Sequence, residues 1–271
     1  METAFRFSGF LCVHRVSVVP TFRAAESFWM KRTHQILCLL AAGAALFGLR
    51  HWVTAAVGVV AQKVAPRKTI ADRLAEYGPA ARQRWAPHFA KAGVAYPPAA
   101  LVLVGIKAEN RLEVYAGATA AGVKFIRDYP IRAASGELGP KLKEGDGQVP
   151  EGIYQIESLN PNSRFHLSLR VNYPNRFDRE QAAREGRTQL GGDIMIHGNA
   201  VSIGCLAMGD VAAEDLFVLA ADAGLKNISV LLTPVDFRTG KSVPTSVVLP
   251  AWTEKLYADI RAEMERLPKR E

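Results

Sequence analysis

Cysteine is scarce in these 271 residues: three in all, with Cys12 and Cys38 close to the start and only Cys205 beyond. No C-x2-C spacing and no closely paired histidines are present, so the spacing on which a metal centre is ordinarily read is missing. Basic runs interleaved with aromatics are missing too, which argues against nucleic acid as a partner. The net charge of +8 says less than it suggests, because residues 1–61 hold six basic and two acidic side chains, half of the total. The rest is spread along the chain, a mildly basic surface compatible with an anionic polymer. There is no internal repeat and no low-complexity tract.

Long apolar runs are few as well, and the main one is placed tellingly. "ILCLLAAGAALFGL" (36–49) follows Lys31 and Arg32, and after Arg50 and His51 "WVTAAVGVVA" carries the apolar texture to Ala61. A basic flank followed by an apolar stretch is the layout of a secretory signal or a membrane anchor. The uninterrupted part is short against the roughly 17–25 residues of a spanning helix. Residues 1–61 therefore read as a leader, cleaved after small residues or kept as an inner-membrane anchor. Met30 directly precedes the basic pair, so 1–29 read as an extension ahead of an internal start. An exported or periplasmic chain, trimmed of its leader, keeps Cys205 alone. An unpaired cysteine in that setting is a candidate reactive thiol.

About 200 residues remain, enough for one domain with a proper core. Residues 62–97 read as a helical lead-in, with Ile70, Leu74, Tyr77, Trp85 and Phe89 at helical spacing and Thr69 as cap. Over Thr69–Ala92, Gly78–Pro79 predicts two short helices or one broken helix, and Pro97 and Pro98 end the segment. Short strands rich in branched and aromatic residues follow at 100–108, 111–117, 123–131, 153–158 and 164–171. Residues 135–152 are loop chemistry, and Asp178 is a candidate cap for a brief helix through Glu185. "DIMIH" is a strand ending at His197, 210–223 an amphipathic helix, "NISVLLTP" a further strand. A C-terminal extension, 236–271, carries a last helix with Trp252, Leu256, Ile260 and Met264 four apart. The expected architecture is mainly β (α+β), with peripheral helices.

The chemistry concentrates in "DIMIHGNAVSIGCLAM" (193–208), where His197 stands eight residues before Cys205. The thiolate, not the thiol, attacks carbonyls, and a histidine is the usual base that generates it. Gly204 permits a tight turn that aims main-chain N–H groups at one point, as an oxyanion hole requires. A papain-like arrangement is excluded by order, since there the cysteine comes first and opens a helix.

"HG…S-x-G-C" resembles the YkuD-type L,D-transpeptidase domain, whose signature is His-Gly, a spacer, then Ser/Thr-His-Gly-Cys. "SGELGPKLKEGDGQVPEGIY" (135–154), "NYPNRFD" (172–178) and "IMIHGNAVSIGCLAM" (194–208) are similar to its YafK-like branch of murein transpeptidases and lipoprotein-releasing amidases. The likeness covers 98–235 and implies a β-sandwich or barrel. It implies that Cys205 forms a thioester with a peptidoglycan stem peptide, that His197 is the base and that the Gly198 carbonyl orients the imidazole. The Gly204 N–H then serves the oxyanion, and Ser202 matches the family's Ser/Thr. Two departures stand out: Ile203 replaces the second histidine of the signature, and the spacer is short. Both fit the YafK-like branch and put amidase action beside transpeptidation. The implied partners are peptidoglycan and a wall-linked lipoprotein; no cofactor or metal is expected.

Lys141, inside the matching loop, is the best candidate for a substrate carboxylate, ahead of Arg132 and Arg187. Tyr173 is a candidate for the cleft wall. His166 reads as structural, Asp193 as a strand pin, Met208 as packing and His88 as surface. Two other function classes compete: a soft-metal site of Cys205, Met208, His197 and His166, and a non-catalytic wall-binding module with an inert cysteine.

Overall fold

A computed structural model describes residues 66–268 and 270, so the leader expected at 1–61 lies outside the described residues. Among the described residues no helix is long and apolar enough to cross a membrane. Arg67–Glu271 form one compact unit.

The first helix, α1 (Ile70–Ala92), opens on a capping box in which Thr69 and Asp72 bond each other's main chain, and ends at Gly93. It is continuous through Pro79 and Pro87. The expected break at Gly78–Pro79 is therefore wrong, while the helical spacing read over Thr69–Ala92 matches the helix. Each proline removes one helical hydrogen bond, but side-chain docking holds the helix through the loss. Trp85 and Phe89 are buried, Trp85 Nε1 donates to Asp215 O at 2.9 Å, and Arg82 makes two 2.8 Å bonds to Asp222.

Nine strands follow: β1 (Ala100–Ile106), β2 (Arg111–Gly117), β3 (Lys124–Pro130), β4 (Ala133–Ala134), β5 (Gly152–Ser163), β6 (His166–Val171), β7 (Met195–His197), β8 (Leu206–Ala207) and β9 (Ile228–Thr233). Between them lie α2 (Arg176–Arg184) and α3 (Asp210–Ala223), and α4 (Thr253–Glu265) comes last. The two strands expected at 100–108 and 111–117 form a hairpin, with β1 and β2 in register from Ala100↔Gly117 to Ile106↔Arg111. Helix α2 starts earlier than expected: Asn175 is its cap, and Asp178 is the partner three residues on that completes the capping box.

All nine strands lie in one mixed sheet, ordered β3-β2-β1-β9-β5-β6-β7-β8-β4, with β1–β9 and β7–β8 parallel. Its two edge strands, β3 and β4, are separated in sequence only by Ile131 and Arg132. A residue spans at most about 3.6 Å, so the sheet has to curl until its edges nearly meet. The result is a half-barrel with helices around it, the expected class. Strand β5 joins the two halves, pairing with β9 through Gly152–Gln155 and with β6 from Ile156 onward.

The main core lies between the concave sheet and α1 and α3, around Trp85, Leu103, Val114, Leu169, Ile196 and Phe217. Helix α3 is buried on most sides rather than amphipathic in the ordinary sense. A second core, with Val104, Ile106, Tyr115 and Leu231, is covered by Leu256, Ile260 and Met264 of α4 at the four-residue spacing read from the sequence.

Candidate active site

Strands β6, β7 and β8 are short, and their register decides which side chains meet. Leu169, Ile196 and Leu206 align and point into the core. The alternating positions face away from it: Ser168 beside His197 beside Ala207, and Arg170 beside Met195. Cys205 immediately precedes β8, and its Sγ accepts the Met195 N–H at 3.4 Å. His197, in β7, and Cys205, at the entry to the parallel neighbour β8, thus share one face.

The imidazole is tightly held. His197 is 1% exposed, stacks on Phe165 with ring centroids 4.8 Å apart, and places Nδ1 2.6 Å from Gly198 O. A carbonyl only accepts, so Nδ1 carries the proton and Nε2 of the neutral ring keeps its lone pair. Burial lowers the His197 pKa and the Gly198 carbonyl partly restores it. Gly198 is itself hemmed in: a Cβ there meets Asp210 Oδ1 at 2.6 Å and Phe165 O at 2.8 Å.

The thiol is half-buried. Burial raises its pKa and Asp193 raises it further, while the Met195 N–H and the Lys141 charge act the other way. At neutral pH the two groups are therefore a neutral thiol and a neutral imidazole, not a preformed ion pair. The S–H is directed at Asp193 O, 3.5 Å away, and among the described residues no hydrogen bond joins Sγ to the His197 ring.

The turn before the thiol is stitched at both ends. Ser202 Oγ accepts the Cys205 N–H at 3.0 Å and donates to Cys205 O at 2.6 Å. Gly204, at φ 85°, donates its N–H to Ser135 Oγ at 2.6 Å, and Ser135 donates to Gly147 O at 2.7 Å. Ser202 is thus occupied with the cysteine's own main chain rather than open to substrate. The Gly204 N–H, read as an oxyanion donor, has a hydroxyl partner here. Ser135 was not singled out from the sequence, although it opens the matching segment at 135–154.

Lys141 is only 7% exposed, with Nζ 2.5 Å from Asp146 Oδ1 and 2.9 Å from Lys143 O. Asp146 also accepts the N–H groups of Leu142, Lys143 and Gln148, so the ammonium sits at the centre of a closed loop. Tyr173 is buried, with its hydroxyl 3.3 Å from both Lys141 O and Leu190 O. Arg187 bonds Glu185 and Leu142 O, and Arg132 lies exposed. His166 pairs with Glu214 at 3.0 Å, and Met208 is buried in the main core. Neither is brought to the thiol. Among the described residues no group of three or more His, Cys, Asp or Glu is placed to hold a metal ion.

Residues 100–236 match the L,D-transpeptidase catalytic domain family (YkuD). The "Putative L,D-transpeptidase YafK" of Escherichia coli (strain K12) is 33% identical over 133 residues, 47% of this chain and 51% of that protein. The chain therefore spans about half the length of the curated relatives it matches. Among solved structures, the helical cell shape determining protein Pgp2 of Campylobacter jejuni is 22% identical, covering 50% of this chain and 48% of that one, with a TM-score of 0.41. Bd1075 of Bdellovibrio bacteriovorus is 22% identical over 64% and 56% of the two chains, TM-score 0.36. L,D-transpeptidase 1 of Mycobacterium tuberculosis is 18% identical over 49% and 62%, TM-score 0.30.

Proposed function

From the fact that this chain belongs to the L,D-transpeptidase catalytic domain family, we infer that it is an exported thiol acyltransferase acting on the stem peptides of peptidoglycan. The observation that carries the reading is the Nδ1–Gly198 O bond of 2.6 Å, which leaves Nε2 free to take a proton on the face that bears Cys205.

Rotation about the Cys205 Cα–Cβ bond turns the S–H from Asp193 O toward Nε2. The sulfur attacks the peptide carbonyl as the proton passes to His197. The tetrahedral oxyanion then collapses to a thioester, and His197 returns the proton to the departing amine. A second nucleophile completes the cycle: an amine gives transpeptidation, water gives amidase action or release of a wall-linked lipoprotein. Because the pair starts neutral, the charge separation is made only in the transition state, and the Lys141 ammonium favours the sulfur anion as it forms. Main-chain donors at Gly204 and Cys205 serve the oxyanion when Ser135 and Ser202 yield their N–H groups to it. Residues 98–235 carry this chemistry, with α1 and α4 as its helical supports.

The test uses the full chain, wild type and Cys205→Ala, on isolated murein with and without attached lipoprotein. Fragments released by wild type alone, identified by mass spectrometry, support the reading and name the acceptor. Identical, unchanged murein in both reactions favours a non-catalytic wall-binding module.

A further inference from the structure

We propose that the cleft between β6 and the start of α2 is a subsite for a carboxylate of an acidic peptide, with Arg170 as its receptor. The proposal rests on the thiol reading above and deepens it by naming what the bound peptide offers beyond its reacting carbonyl.

The cleft has a volume of about 470 Å³, and its walls include Arg170, Arg176, Arg179, Glu157, Asn172 and Tyr173. Three guanidinium groups face one carboxylate. Arg176 pairs with Glu180 on the helix surface, and Arg179 bonds the Pro174 carbonyl. Arg170 stands between Glu157 and Asp193, each 3.0 Å away.

Register ties this cleft to the thiol. Arg170 is opposite Met195, and Met195 donates its N–H to Cys205 Sγ. Asp193 touches both places: its carbonyl receives the S–H, and its carboxylate reaches Arg170 from a left-handed backbone at φ 56°. Two strand spacings of about 4.8 Å separate the Arg170 and Cys205 backbones, the length of about three residues of an extended peptide. A peptide with its reacting carbonyl at Sγ therefore brings a carboxylate a few residues away to the guanidinium.

Asp193 then acts as an internal stand-in. Its side chain is 77% exposed and that of Arg170 is 40% exposed. Exposed pairs hold weakly, because water screens both partners. An incoming carboxylate displaces Asp193 readily and meets a planar fork of donors that suits it.

The experiment uses the full chain carrying Cys205→Ala, so that binding is read without turnover. A murein stem tetrapeptide and the same peptide with its side carboxylates amidated are titrated by calorimetry. We expect the acidic form to bind about tenfold more tightly, Arg170→Gln to erase that difference, and Asp193→Asn to tighten binding of the acidic form. Thermal midpoints of the variants check that the fold is retained; Arg170→Lys, which keeps charge but not the fork, is expected to restore only part of the preference. No preference in the parent protein, or a preference that survives Arg170→Gln, overturns the subsite. Thioester formation is measured separately on the chain with Cys205 intact. Preference without a thioester leaves the subsite standing and removes the thiol reading; a thioester without preference removes the subsite alone.

Discussion

The two halves of the sheet follow different rules. On one side β1, β2 and β3 are seven residues long and β9 six, and every residue of β1 is buried. Helix α4 covers one face of that half and the main core the other. On the other side β7 has three residues and β8 and β4 two each. Three of the four non-glycine residues at positive φ among the described residues, His166, Asp193 and Asn199, lie there, as does Ile203 at 87% exposure. Even the charges divide this way. Glu113, fully buried, is held by Arg238 and Arg111 in a closed network, whereas Arg170 meets two largely exposed carboxylates. Regular pairing stabilises one half; the other spends its short strands on aiming side chains.

Substitutions that break the two halves should therefore have separable consequences. The largest effect is expected from His197→Gln, which lowers the rate of Cys205 acylation on the order of 10²–10⁴-fold, the usual worth of a general base. The pH profile sharpens this. The acid limb of the wild type should fall below the ordinary histidine value of 6.5, because burial lowers the His197 pKa. Its basic limb should lie above the ordinary thiol value of 9.0. In His197→Gln the acid limb should vanish and the rate climb steadily with pH as thiolate forms. An acid limb unchanged by the substitution assigns the proton transfer elsewhere.

In the regular half, Leu103→Ala deletes a fully buried side chain. It is expected to cost about 2–5 kcal/mol of stability in a denaturant titration, while acylation per folded molecule stays at the wild-type rate. A matching loss of rate in the folded fraction contradicts the division. The smallest effect belongs to Phe165→Ala. A stacked aromatic pair contributes about 0.5–1.5 kcal/mol, so losing the ring over His197 should slow acylation by no more than about tenfold, with little change in stability.

The same contrast explains what could be read from the chain. Strand β2 and helix α3 occupy the residues that turn signals and spacing mark out, because local preference and burial agree there. Spacing predicts a break at Pro79 that α1 does not have, since the bonds from Arg82 and Trp85 to α3 join residues far apart in sequence. The family signature pointed to His197, Gly198 and Cys205, which lie within nine residues. Ser135 and Arg170 escaped because their importance comes from contacts across the sheet: Ser135 meets Gly204 from 69 residues away, and Arg170 reaches the site only through strand register. The inward turn of Lys141 toward Asp146 is equally invisible to a reading that offers the loop lysine to a substrate carboxylate.

Intact-mass spectrometry of the full chain after brief exposure to a murein stem tetrapeptide tests whether Cys205 is the nucleophile. The expected result is a mass gain equal to the acyl portion of the peptide, mapped to Cys205, released by hydroxylamine and absent in Cys205→Ala. Consumption of the peptide with no adduct on wild type, or the same adduct on Cys205→Ala, contradicts it.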